Sequence, residues 1–123
     1  MNNVMSERFI EYDTVLDLCR NRQRRIILAV LTNQQRSVPL NDLVEAVNKH
    51  DHHREDTAGS EDEISEIGLS LYHKHIPALE EASVIAYDEH RKLVEPTERF
   101  DELEPYLSTV LEADPELESP VEL

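Results

Sequence analysis

The sequence predicts a mainly α fold with a small β hairpin, and three observations lead there. A chain of 123 residues has the length of one ordinary domain. Its 39% hydrophobic content suffices for a single core. The 5% aromatics and only 2 glycines exclude an all-β sandwich, which needs many glycine-rich turns.

Residues 1–13 read as a polar lead-in, and Val15, Leu16, Leu18 and Cys19 as a short turn or helix packed on the core. The clearest helix runs from Arg22 to Thr32. Its Ile26, Ile27, Val30 and Leu31 recur on one face, Asn21 is placed to cap it, and Gln23, Arg24 and Arg25 are expected to stay wet. After the polar break at residues 33–36, Ser37-Val38-Pro39 is long enough only for an isolated edge strand, where proline is tolerated. Asn41 can cap a helix over 42–50 whose stripe is Leu43, Val44 and Val47. Residues 51–60 read as a loop.

A longer helix is expected over 61–82, with Glu61, Asp62 and Glu63 at its positive end. Leu69, Tyr72, Ile76 and Leu79 define its apolar face, and Ile64, Ile67 and Leu71 form a second edge. Pro77 removes a backbone donor and should kink or divide this helix around residues 73–77. Residues 84–87 and 92–95 read as two strands around a charged tip, 88–91. Thr97 can cap a last helix over 98–112, with Phe100, Leu103, Leu107 and Val110 spaced as a seam and Pro105 complicating it. Residues 113–123 hold two prolines and four acids among few apolar groups, and read as an acidic disordered tail.

Charge narrows the function. The formal net charge is −15, from 12 basic and 27 acidic residues, which excludes a binder held to nucleic acid by a general positive field. The excess acid lies in the second half: segments 1–14, 15–60, 61–96 and 97–123 carry −2, +1, −6 and −8. A surface adapted to concentrated salt explains acidity spread over helix faces; an acidic chain with a disordered tail is the plainer alternative. No apolar run is long enough to span a membrane, and the first residues lack a basic region followed by an apolar stretch. A cytoplasmic location is expected. Cys19, the single cysteine, has no partner for a disulfide or a thiolate metal site.

The order helix, short strand, helix, longer helix, hairpin, helix is that of a winged helix-turn-helix domain, expected over 14–96. Its most specific stretch is Tyr72 to Ile85, which resembles the junction between recognition helix and wing in ArsR-like regulators. His75, Ile76, Leu79, Ala82, Ser83, Val84 and Ile85 fill that family's places, with Ser83 where glycine is usual, so that the tight turn is expected to be strained. Together with residues 21–28, Leu40-Asn41-Asp42-Leu43 and the hairpin, the stretch is similar to a haloarchaeal winged-helix domain family. The resemblance implies a transcriptional regulator. Winged helices also serve as protein-binding modules, so an interaction module that does not bind DNA is the rival.

If the partner is double-stranded DNA, the resemblance places Ser70, His73 and Lys74 toward the major groove and His90, Arg91 and Lys92 at phosphates. The plainer alternatives are a solvated helix face and an edge strand protected by lysine. His75 reads as a packed structural histidine. Arg20, Arg22, Arg24 and Arg25 are expected to pair with acids on the last helix or a second subunit, with phosphate contact the lesser reading. His50-Asp51-His52-His53 has metal-binding residue types at spacing too close for a clean site, so no metal and no cofactor are expected. No catalytic motif is found and no enzyme activity is expected. The seam of Phe100, Leu103, Leu107 and Val110 is expected to join two copies into a homodimer across residues 97–112, since one small domain leaves such a stripe uncovered.

Overall fold

The structure, a computed structural model, describes residues 4–51, 61–117 and 121. It is mainly helical with a small antiparallel sheet. The elements run α1 (Val4–Leu18), α2 (Arg22–Gln34), β1 (Val38–Pro39), α3 (Leu40–His50), α4 (Glu61–Ser70), a π-turn (Leu71–His75), α5 (Ile76–Glu81), β2 (Ile85–Asp88), β3 (Leu93–Pro96) and α6 (Glu98–Glu112).

Helix α2 is the centre of the fold. Asn21 caps it by accepting from the Arg24 backbone N–H at 3.1 Å, as its residue type predicts. Six consecutive residues, Ile26 to Leu31, are buried, so Leu28 and Ala29 join the expected face. A helix apolar on every side is one enclosed on every side, and α3 and α6 both pack on it. Helix α1 is longer than the expected lead-in; it lies on α6, with Tyr12 edge-to-face against Tyr106 at 6.4 Å.

The sheet order is β1-β3-β2, with Val38 opposite Val94 and Ile85 opposite Pro96. The strand expected to stand alone is thus the sheet's edge, which is where Pro39 costs no ladder bond. Its carbonyl end leads directly into α3, whose N-cap is Pro39 and not Asn41. The Leu40 N–H bonds the Lys92 carbonyl at 2.9 Å, so the sheet fixes this helix start without a capping side chain.

The helix expected over 61–82 is divided at the predicted place, by widening. Leu71–His75 forms a π-turn, closed by the Ile76 N–H on the Leu71 carbonyl, and Pro77 follows as the second residue of α5. One residue more per turn changes the face. Leu69 and Tyr72, expected inside, are 60% and 40% exposed, whereas Ile67, Leu71, His75, Ile76 and Leu79 are buried. Up to the turn the second edge, Ile67 and Leu71, faces the core, and beyond it the expected face, Ile76 and Leu79, does.

Ser83 adopts φ 65°, the left-handed turn that glycine would take without cost, and Thr97 Oγ1 donates to its carbonyl at 2.6 Å. Thr97 also caps α6, accepting from the Phe100 N–H at 3.3 Å. Phe100, Leu103 and Leu107 are at most 1% exposed, buried within this one chain against α1 and α2, and Val110 is half-buried. This corrects the premise of an uncovered dimer seam: α1, not foreseen at its full length, covers it. Pro105 is carried on the exposed side of α6. Part of the segment read as a disordered tail also packs back, for Leu117 lies on the core and Val121 is 3% exposed.

Two substitutions test this packing. Ser83→Gly relieves the left-handed strain and should stabilise the chain by about 1 kcal/mol in urea unfolding; no gain would show the turn to be unstrained. Leu103→Ala should cost about 2–5 kcal/mol, as a cavity in a single-chain core does. That loss should not depend on protein concentration, and a concentration-dependent loss would return the stripe to a subunit contact.

Candidate functional site

The π-turn decides which polar groups of the third helical stretch reach solvent. His73 and Lys74 are exposed and Ser70 is half-buried, which keeps all three on the outer side. Lys74 forms no ion pair among the described residues. The hairpin tip is equally open: His90, Arg91 and Lys92 are exposed. Asp88 Oδ1 shapes the tip by accepting from the His90 and Arg91 N–H groups at 3.0 and 3.1 Å, and Lys92 turns the chain with φ 53°.

Tip and helix are joined by an acidic, aromatic seam. The Tyr72 hydroxyl donates to Glu89 Oε1 at 2.5 Å, and Tyr72 meets Tyr87 edge-to-face at 6.1 Å. The hydrogen bond to Glu89, with that carboxylate's charge, holds the Tyr72 phenol above its usual range. Glu80 accepts from the Tyr87 N–H at 3.2 Å. Sequence reading missed this seam, because nothing in the spacing of Tyr72 and Glu89 brings them together before the hairpin folds back.

The arginines lie on the opposite flank, at the start of α2. Arg25 Nε donates to Asp114 Oδ2 at 2.8 Å and its Nη1 donates to the Cys19 carbonyl at 2.5 Å. Burial works against the Asp114 charge, but the Glu116 N–H and Arg25 outweigh it and hold the carboxyl below its usual range. Arg22 lies 3.8 Å from Asp51 and 3.7 Å from Glu116. Arg22 and Arg25 thus meet acids on the segment just beyond α6 and not on the last helix as expected, Arg20 lies 3.5 Å from Asp17 of α1, and Arg24 forms no ion pair among the described residues. Arg24 and Arg25, expected to stay wet, are half-buried. Buried Cys19 has its thiol pushed up to about 11 by burial, which leaves it unreactive.

Between the arginines and the π-turn lies a polar cleft of about 390 Å³ lined by residues 20–23, Arg25, Asp51, Ser70, Lys74 and His75. His75 is packed, as expected, at 1% exposed, and its Nδ1 has no hydrogen-bond partner. Burial, with Arg24 and Lys74 nearby, lowers its protonation to about pH 4. Of the candidate metal cluster, His52 and His53 lie outside the described residues, and His50 and Asp51 are buried. Among the described residues no three His, Cys, Asp or Glu side chains converge to hold a metal ion, and no helix is long and apolar enough to cross a membrane.

The sequence pattern of a family described as Domain of unknown function (DUF7344) matches residues 16–95. No curated protein and no solved structure matches the chain.

The His75 environment fixes a pH effect. A histidine held neutral in the fold takes up protons on unfolding, so its share of stability is complete above pH 6.5 and is lost as pH falls from 6.5 toward about 4. His75→Leu should remove that share of the acid loss, about 2–3 kcal/mol between pH 7 and pH 4. Urea midpoints of the two proteins across this range measure it; parallel losses would show that His75 does not carry the effect.

Proposed function

We propose that this chain, which belongs to the DUF7344 family, is a winged helix-turn-helix transcriptional regulator that binds double-stranded DNA. In this reading α3 and the α4–α5 stretch form the helix-turn-helix, β2 and β3 form the wing, and α1 and α6 brace them from behind. The observation that supports it is the placement of the unpaired cations. His73 and Lys74 stand on the open side of the third helical stretch, bordered on one flank by the arginine cleft and on the other by the hairpin bearing His90, Arg91 and Lys92. On a chain of net charge −15, this is where an anionic duplex meets the least repulsion.

Lys74 and His73 would enter the major groove, Ser70 would serve a phosphate from its half-buried place, and the tip would hold backbone phosphates. Two copies would serve two half-sites. With the α6 seam covered, Tyr12 and Leu16 of α1, 43% and 41% exposed, are the large apolar groups among the described residues that lie off the third helical stretch and could join them.

One observation favours the rival, a winged-helix module that binds a protein. Tyr72 and the carboxylates Glu80 and Glu89 line one groove with His73, and Leu69 is exposed as well; these suit a protein surface better than phosphates.

Lys74→Ala should weaken duplex binding by about 1–3 kcal/mol if it meets a base, and should relax sequence preference. Arg91→Ala with Lys92→Ala should weaken all duplexes alike. Because few cations are free, affinity should fall with salt more shallowly than the slope of about −0.9 per phosphate would give for many contacts. Titration of genomic duplexes from low to molar salt reads all three. Unchanged affinity in both variants would move the interface elsewhere, and no duplex binding at any salt would leave the protein-binding module.

A further inference from the structure

We propose that the cleft between the start of α2 and the π-turn is a binding site for a phosphate-type oxyanion. Four cations, Arg20, Arg22, Arg25 and Lys74, line it against one carboxylate, Asp51. Elsewhere acids prevail by more than two to one over the whole chain, so the cleft inverts the protein's charge balance. Helix α2 points its N-terminus here. The Asn21 side chain accepts from the Arg24 N–H and its carbonyl from the Arg25 N–H, and the geometry of a helix start leaves the Arg22 and Gln23 N–H groups without intrahelical acceptors.

A helix start with cations is not enough to define a site; the second observation is the buried polarity beside it. His75 is 99% removed from solvent, yet its Nδ1 has no partner. Arg22 Nε is also buried without a hydrogen bond, its nearest carboxylate lying 3.7 Å away at Glu116. Arg22 Nε already faces that carboxylate, so the orphan that counts is the His75 nitrogen: a buried polar atom is ordinarily satisfied, and this one sits in the wall of a cationic cleft. A neutral imidazole keeps one N–H and can donate it without adding charge.

The donors also select the ligand. The start of α2, Ser70 at the end of α4, and Lys74 and His75 on the π-turn line the cleft from three elements, which suits the several oxygens of a phosphate better than the two of a carboxylate. Arg25 is held by Asp114 and Arg20 lies 3.5 Å from Asp17, so Lys74 is the cation left free to close on the anion. The phosphate can be carried by a nucleic-acid backbone or be free in solution. The site does not rest on the duplex-binding reading, since free phosphate tests it alone.

The experiment follows the His75 ring nitrogens by NMR in the full chain at neutral pH. Inorganic phosphate is titrated at constant ionic strength against chloride, and a short duplex is titrated separately. Phosphate should shift His75 saturably, and Lys74→Gln, at an exposed position that leaves the core intact, should weaken that binding about tenfold. A duplex that shifts His75 and is competed by phosphate identifies a backbone phosphate as the occupant. A duplex without effect, beside a phosphate response, identifies the free anion. No saturable response to either, or a response unaltered in Lys74→Gln, overturns the site. Failure of duplex binding alone would overturn only the regulator reading.

Discussion

The π-turn at Leu71–His75 sets the orientation of everything the third helical stretch presents. Pro77 has no N–H to give the turn before it and crowds the carbonyl there, and one widened turn absorbs both effects at less cost than a break. The extra residue rotates Leu71 and His75 inward and Tyr72, His73 and Lys74 outward. A regular helix through the same residues would bury Tyr72 and could not pair it with Glu89 at the hairpin. The orphaned His75 nitrogen and the free lysine beside it are two results of the same distortion.

Charge is organised around that turn. Acid prevails along the chain, but the arginines of α2 are gathered at one helix start, where Arg22 and Arg25 are drawn to Glu116 and Asp114 beyond α6. These pairs hold the C-terminal segment on the core, where Val121 is buried and its carbonyl accepts from Asn33 at 3.4 Å. Partly exposed ion pairs of this kind are worth little singly. Their larger effect is to engage Arg20, Arg22 and Arg25 within the chain, so that on the side of the third helical stretch and hairpin Lys74, Arg91 and Lys92 are the cations without an ion pair among the described residues. The acidic seam from Glu80 to Glu89 lies between Lys74 and the hairpin tip, so any anionic partner must straddle it.

Much of the architecture was legible in single residues. Asn21 and Thr97 act as caps because a side-chain oxygen one residue before a helical pattern has an N–H to satisfy. Ser83 takes the left-handed turn expected of a glycine place, and Pro39 sits on a sheet edge because it must. The sites were less legible. His73, Lys74 and His90 to Lys92 are exposed, as their polarity implies, and Ser70 is half-buried, but no local pattern tells a solvated lysine from one that meets a partner.

By itself the sequence determined the order of helices and strands, the caps, the position of the break at Pro77 and the surplus of acid, since each depends on residues within a few places of one another. Only the tertiary structure decided that the inward face passes from one apolar edge to the other across the π-turn, that α1 rather than a second copy covers Phe100, Leu103 and Leu107, and that Arg22, Lys74 and His75 line one cleft. Those outcomes depend on groups far apart in the chain and on one added residue in a helical turn. Periodicity counts residues at a constant angle, and it loses the face when that angle changes.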